Sequence, residues 1–380
     1  MTAIRRVLQI ANRAGPLQLF MLPLCKALTE NGMEVELACM PGGTSWRQLP
    51  EHGFKVHWLP EGDWKSPATW LRLHRAINTL LRDRKYDLVI VHTPAISWIV
   101  RPAAARFSGM AVYFAHGLPF APEQNALRRS AYLMIEKYMA RYTDGIIVMN
   151  TDDARACKEF RLTRPAGRCG YIPGIGIDID KWSATLTPAQ RSEWTNRLKL
   201  RDGKPVVLFL GRFIDAKRPQ DVLECADRLA NEADFVMAGE GPLWPWAKRK
   251  AARVGTHVHV LEFTSRPSEL MMLCDIVVLP SVFREGLPRV LLEACAAARP
   301  IVAYNIRGVR DIVQDGKNGY LIAPRNVEEL GDKLTELVRD ASLRDSMGQS
   351  GRRIVEDAFT VDHSIAAILS FLNLPPHLRK

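Results

Sequence analysis

The chain has 380 residues, 47% hydrophobic and 24% charged, with a formal net charge of +11. That length is long for one core and comfortable for two domains, and the composition is that of a globular protein. No uncharged apolar run reaches the ~18 residues of a membrane span, and the Met-Thr-Ala-Ile-Arg-Arg start lacks the apolar core of a secretion signal.

Seven cysteines without a C-x-x-C pair argue against a metal site or a disulfide framework. They predict reduced, buried thiols in a cytosolic protein. The charge is uneven: residues 1–176 hold 23 Lys/Arg against 14 Asp/Glu, nearly the whole excess. A solvated basic surface and a face for an anionic partner account for it equally well. No recognition-helix motif, zinc finger or aromatic RNA-binding signature is present, so nucleic acid is not an expected partner.

Strand-like and helix-like segments alternate in chain order, the sign of parallel α/β domains. The pattern predicts a strand over Arg6–Asn12 and a helix over Leu17–Asn31, kinked by Pro23. Strands follow at Glu34–Cys39, Lys55–Leu59, Leu88–His92, Ala111–His116 and Gly145–Met149, with helices over Pro67–Arg84 and Asn125–Tyr142. Residues 177–204 are polar and less periodic and read as a hinge. The pattern then restarts with a strand at Val206–Leu210 and a helix at Pro219–Ala230. Further strands are expected near Phe235–Ala238, His257–Val260, Ile276–Leu279 and Ile301–Ala303. Helical spacing closes the chain over Val327–Arg339, Leu343–Asp357 and His363–Leu372. The domains read as 1–176, a linker at 177–204, a second domain at 205–357 and a terminal helix and tail at 358–380.

The most informative segment is Arg284-Glu285-Gly286-Leu287-Pro288-Arg289-Val290-Leu291-Leu292-Glu293-Ala294. Pro288 suits a first helical position, and Leu287 before it is a poor cap. First-turn amides without a side-chain acceptor suit a bound diphosphate. Two carboxylates roughly 12 Å apart along such an element match hydroxylated groups on either side of it. Gly211-Arg212 follows a strand, and Lys217-Arg218 precede Pro219. Cations at the positive end of a helix are unfavourable unless an anion compensates, which favours a diphosphate on Arg212 and Lys217. Gly239, in Gly-Glu-Gly-Pro after another strand, reads first as a structural turn. His116-Gly117 ends a strand, and its histidine is either satisfied in a loop or in touch with a substrate hydroxyl or phosphate. Gly15-Pro16 sits between the first strand and helix, as a plain turn or as a phosphate loop with free amides.

Together these residues resemble the retaining glycosyltransferases of family 4, which have the GT-B fold. The likeness is strongest from Val206 to Pro324 and includes Glu285 and Glu293 in E-x(7)-E, the Gly-Arg and Lys ahead of it, and Asp315–Leu321 behind it. In the first half, Phe114-Ala115-His116-Gly117 is similar to the family's His-Gly element. The resemblance implies two Rossmann-like domains facing across a cleft, with the C-terminal helix crossing back to the first. It implies Glu285, His116, Arg212 and Lys217 as catalytic groups. Glu285 would hold donor-sugar hydroxyls, His116 would contact the donor sugar near the reacting carbon, and Arg212 and Lys217 would neutralise the departing diphosphate. Glu293 would bind the ribose, with Gly286, Leu287, Arg289, Val290, Gly211 and Gly239 around the donor. Gly15 and Gly117 would form an acceptor or phosphate loop.

The implied reaction moves a sugar from a nucleoside-diphosphate sugar, UDP by default, to a polyprenyl-diphosphate-linked glycan in bacterial surface polysaccharide synthesis. It needs no metal or cofactor, and it would run at the cytoplasmic face of an anionic inner membrane. The basic and apolar helices Asn125–Tyr142 and Pro67–Arg84 read either as ordinary packed helices with solvated faces or as candidates to lie on that surface. The alternatives are transfer to a soluble small acceptor and a non-catalytic nucleotide-sugar-binding scaffold. Two departures stand out: one glycine where the family often has a Gly-Gly pair in the first loop, and Pro288 where it frequently has glycine.

Overall fold

The structure, a computed structural model, describes residues 4–42, 46–64, 66–122, 124–183, 185–262, 264, 266–283 and 285–374. Arg284 therefore lies outside the described residues. The apolar strand runs predicted from sequence pair in parallel throughout, as runs buried on both faces by flanking helices must. Seven strands form one sheet in the order β3-β2-β1-β4-β5-β6-β7. They are β1 (Arg6–Arg13), β2 (Glu34–Met40), β3 (Lys55–Trp58), β4 (Leu88–His92), β5 (Met110–Ala115), β6 (Gly145–Val148) and β7 (Arg168–Tyr171). Six form a second sheet in the order β10-β9-β8-β11-β12-β13. They are β8 (Val206–Leu210), β9 (Asp234–Ala238), β10 (Val258–Leu261), β11 (Ile276–Leu279), β12 (Ile301–Tyr304) and β13 (Gly319–Ile322). Each order reverses once, between β1 and β4 and between β8 and β11. Such switch points open a crevice at the carboxyl ends of the strands.

The chain divides into two units, Met1–Gly176 with Val361–Lys380, and Ile177–Thr360. The last helix, Val361–Phe371, thus packs with the first sheet, where the Phe371 ring lies against Gly145 and Gly170. A Cβ added at Gly170 would come within 2.6 Å of that ring, so the glycine makes room for it. Residues 177–204, read from sequence as a hinge, instead hold two helices, Ile179–Ser183 and Pro188–Leu198. Both belong to the second unit, the latter starting at a Thr187–Gln190 capping box. Each unit has its own apolar core around its sheet.

Three local expectations change. No loop separates β1 from the first helix: helical backbone begins at Ala14 and includes Gly15. A π-helical stretch, Leu17–Met21, then leads into the α-helix Leu22–Glu30. Pro23 has no N–H to give, so the irregularity falls on the turn before it. Asn125 lies outside its helix, as a cap whose side chain accepts from the Leu127 and Arg128 amides; the helix runs Ala126–Met139.

That helix is anchored by a fully buried ion pair. Arg101 Nη2 donates to Glu136 at 2.8 Å, and Trp98 Nε1 donates to the other carboxylate oxygen at 2.8 Å. Both charges are desolvated, so removing either alone leaves an uncompensated buried charge.

Candidate active site

In the second unit, the segments leaving three neighbouring strands, β8, β9 and β11, are tied to one another by backbone hydrogen bonds. Gly211 N–H donates to Ala238 O at 3.0 Å, Phe213 N–H to Glu240 O at 2.8 Å, and Val282 N–H to Ala216 O at 2.9 Å. Gly239 has φ +148°, and a Cβ there would lie 2.0 Å from the Gly211 carbonyl oxygen. Its glycine is required by this close approach of two backbones. A Cβ at Gly308 would likewise meet the Gly286 carbonyl oxygen at 2.5 Å, bringing the loop after β12 against Glu285-Gly286.

Two of the predicted site residues meet directly at the β8/β11 switch point. Lys217 donates to a carboxylate oxygen of Glu285, and both side chains are largely buried. Arg212, in the loop that leaves β8 ahead of Lys217, is exposed. Arg218 is differently placed. It sits in the left-handed region at φ +51° and donates to Asp221 at 2.7 and 3.0 Å. Asp221 is buried and also accepts from Tyr304 Oη at 2.7 Å. The compensating anion inferred for the positive end of this helix is therefore, for Arg218, the protein's own carboxylate.

The helix behind Glu285 runs Arg289–Ala296, with Pro288 as its N-cap rather than its first residue. The reason is the proline's ψ of 107°, which is extended. The cap makes no side-chain hydrogen bond, so the first turn keeps its partial positive charge for a ligand. Glu293, one turn on, accepts from Arg289 Nε at 3.0 Å and is only 9% exposed. Burial pushes its carboxyl up to about 7, against the pull of the Arg289 guanidinium. Leu287 is buried, Val290 half-buried.

The first unit holds the other predicted residues. His116 follows β5, and Gly117 after it has φ +125°. Sequence reasoning missed two neighbours. His92 Nε2 lies 2.7 Å from Gln9 Oε1, and His92 Nδ1 lies 3.1 Å from His116 Nε2. Gln9 and His92 are fully buried. The signal was faint but present: one polar side chain interrupts each of two apolar strands at a switch point.

Among the described residues, no group of His, Cys, Asp and Glu is placed to hold a metal. No helix among them is long and apolar enough to cross a membrane.

Two doubly wound units in this order, with paired charges at the second switch point, define a nucleotide-sugar transferase of the GT-B type. The family described as Glycosyl transferase 4-like domain matches residues 18–174, and Glycosyl transferases group 1 matches residues 190–354. The chain belongs to the group 1 glycosyltransferases of family 4, and it is a hexosyl-transferring enzyme. It is 31% identical over 346 residues to the putative glycosyltransferase EpsD of Bacillus subtilis, covering 88% of this chain and 87% of that one. It is 25% identical over 292 residues to the UDP-Gal:alpha-D-GlcNAc-diphosphoundecaprenol alpha-1,3-galactosyltransferase of Escherichia coli, covering 74% of each. The fold is shared with the crystal structure of Anabaena Alr3699/HepE in complex with UDP and glucose. There the TM-score is 0.81 at 19% identity, over 97% of this chain and 99% of that one.

Proposed function

We propose that this enzyme transfers a hexosyl group from a UDP-sugar, with retention of anomeric configuration, to a polyprenyl-diphosphate-linked glycan. The process served would be bacterial surface polysaccharide synthesis, at an anionic cytoplasmic membrane face. The observation that carries the reading is the Lys217–Glu285 pair beside the uncapped turn at Arg289. It puts a cation and a carboxylate at the β8/β11 switch point, with Glu285 four residues ahead of that turn in the chain. Breaking the glycosidic bond loads negative charge on the leaving diphosphate. Lys217, Arg212 and the first-turn amides stabilise that charge through preorganised electrostatics, so no metal is required. Glu285 accepts from hydroxyls of the sugar, and Glu293 from those of the ribose. The sugar is attacked on the face the diphosphate leaves, with a phosphate oxygen taking the acceptor's proton. The acceptor class is supported by the Escherichia coli relative, whose name specifies a diphosphoundecaprenol substrate.

A panel of nucleotide sugars is first screened by thermal stabilisation, since a ligand of the native state raises apparent stability. The best donor is then incubated with a synthetic polyprenyl-diphosphate sugar, and the product's anomeric coupling is read by NMR. A stabilising UDP-sugar and an α-linked product from an α-linked donor support the reading. Stabilisation without transfer to any lipid-linked acceptor removes the acceptor assignment.

A further inference from the structure

The helix Arg289–Ala296 begins at the uncapped turn and ends, with Ala296, on the wall of a cavity of about 410 Å³. At ~1.5 Å per residue its two ends lie about 12 Å apart. The cavity is lined entirely by residues of the second unit, and neither Lys217 nor Glu285 is among them. The carbonyls at this helix end are satisfied by the protein. Ala297 N–H donates to Glu293 O at 3.0 Å, Ala298 N–H to Cys295 O at 3.0 Å and Arg299 N–H to Ala294 O at 2.8 Å. Arg352 Nη1 donates to the last carbonyl, Ala296 O, at 2.6 Å. Ala298 makes the turn in the left-handed region, at φ +52°, where glycine is usual. A Cβ at Gly348 would lie 2.1 Å from Ala298 O, so the helix Ala341–Ala358 packs directly on this turn and fixes the wall.

The donors on the wall are not matched in the same way. Trp182, on the helix Ile179–Ser183, lines the cavity and is 3% exposed, yet among the described residues its indole N–H has no acceptor. Arg299 Nη2 donates to Met272 O at 3.1 Å, while its Nε–H is buried without an acceptor. A buried N–H left unpaired is costly, and two on one cavity wall call for a ligand that accepts. Charge points the same way. Arg191, Arg299 and Arg352 face one carboxylate, Glu356, which already accepts from Arg352 Nε at 2.6 Å; three cations against one anion leave a net +2. A phosphate monoester brings about −2 at neutral pH and three acceptor oxygens. A carboxylate brings a single charge and two oxygens. Leu186 and Met272 beside the Gln349 amide make the rest of the wall mixed, which suits a small body with hydroxyl groups.

We infer that this cavity is a second ligand site, which takes a small phosphate monoester with a hydroxylated body. The Trp182 indole N–H and the Arg191 and Arg299 guanidiniums hold the phosphate, while Arg352 stays committed to Ala296 O and Glu356. The volume is far more than inorganic phosphate fills and falls within the roughly 300–1,000 Å³ of small-molecule pockets. The site stands at the opposite end of the helix from the turn assigned to the donor diphosphate, so one molecule can occupy each.

The test is isothermal titration of the full chain with glucose 6-phosphate and glycerol 3-phosphate, against inorganic phosphate and citrate. At least one ester should bind with a Kd below about 1 mM, and about tenfold or more tighter than either comparison anion. Arg191→Ala and Trp182→Phe should each weaken that ester about tenfold, the second by removing the N–H while keeping an aromatic ring. Lys217→Ala should leave its affinity within about twofold, since the diphosphate site is elsewhere. Ester binding should also change tryptophan emission in the wild type and not in Trp182→Phe. Three results would overturn the inference: no binding of either ester at about 10 mM, equal affinity for inorganic phosphate (an adventitious ion only), or loss in Lys217→Ala with none in Arg191→Ala. Arg191 is exposed, so its variant decides alone should Trp182→Phe not fold. The titration needs no nucleotide sugar, so it is read independently of whether the enzyme transfers one.

Discussion

Lys217 and Glu285, 68 positions apart in sequence, form an ion pair that joins the loop leaving β8 to the loop leaving β11. Each is the other's counter-charge until a ligand arrives, and each would serve a different part of a nucleotide sugar. Lys217→Ala removes a preorganised positive charge and should lower transfer by about two to three orders of magnitude. Glu285→Ala should do the same while leaving Lys217 free to bind diphosphate. The expected split is that Lys217→Ala weakens nucleoside-diphosphate binding and Glu285→Ala does not. Nucleotide release and isothermal titration with UDP measure the two effects, and unchanged turnover in both variants removes the site.

Glu293 links pH to both stability and binding. Its carboxyl titrates near 7 in the fold against an ordinary value of 4.5. Between these values the folded chain holds a proton that the unfolded chain releases, so stability falls as pH rises through that window. Glu293→Gln removes the penalty. It should raise Tm over wild type at pH 8, by no more than about 3 kcal/mol in stability, and bring no gain near pH 4. The charged form is the better acceptor for ribose hydroxyls, so apparent donor KM should climb as pH drops below 7. Melting curves and initial rates across pH 5–8 read both.

Chelation distinguishes side-chain cations from a metal as the leaving-group stabiliser. With Arg212 and Lys217 in that role, EDTA treatment should leave the rate unchanged and added magnesium should not raise it. A chelator-sensitive rate restored by a divalent ion would contradict the assignment.

The helix Ala126–Met139 offers a test of membrane association. Leu127, Met134 and Tyr138 are 81%, 71% and 50% exposed, spaced along the face opposite the buried Glu136. Arg128, Arg129, Lys137 and Arg141 are exposed around them, and Glu136 is the only acid on this helix. Such a stripe suits an acidic bilayer. The protein should float with phosphatidylglycerol vesicles at physiological salt, and Leu127→Glu with Met134→Glu should abolish flotation without lowering Tm. No binding by the wild type counts against the membrane reading.

Gly15 and Gly239 should respond in opposite ways to alanine. Gly15 is helical, with nothing within 4 Å of an added Cβ, so Gly15→Ala should stabilise by up to about 1 kcal/mol. Gly239→Ala would drive a Cβ into the Gly211 backbone and should cost several degrees of Tm. If Gly15→Ala is stable yet slow in transfer, that position serves substrate as well as fold.

Much of the architecture was legible because parallel strands buried on both faces read as unbroken apolar runs. Pro67–Arg84, Val206–Leu210 and Ile276–Leu279 have the bounds the sequence suggested. Two edge strands did not stand out. β7 is Arg-Cys-Gly-Tyr, with both ends exposed, and β13 opens at Gly319 inside a segment that reads as a turn. The charged cluster was visible because Lys217 and Glu285 sit in turn-like segments where charge needs a reason. Gln9 and His92 were hidden for the opposite cause: a single polar residue within an apolar strand passes as a satisfied core group. Only the register between strands brings those two side chains together. Pro288 was misplaced by one position because its fixed φ suits either side of a helix start.

Phe371 covers glycines in β6 and β7, so a chain cut at residue 176 would leave bare the patch those strands present to the last helix. Ile177 pairs with Thr360, which brings the exit from the first unit alongside the return to it. Anyone wishing to purify that half for crystallography should therefore graft residues 361–374 behind Gly176 through a brief spacer. Simple truncation invites aggregation.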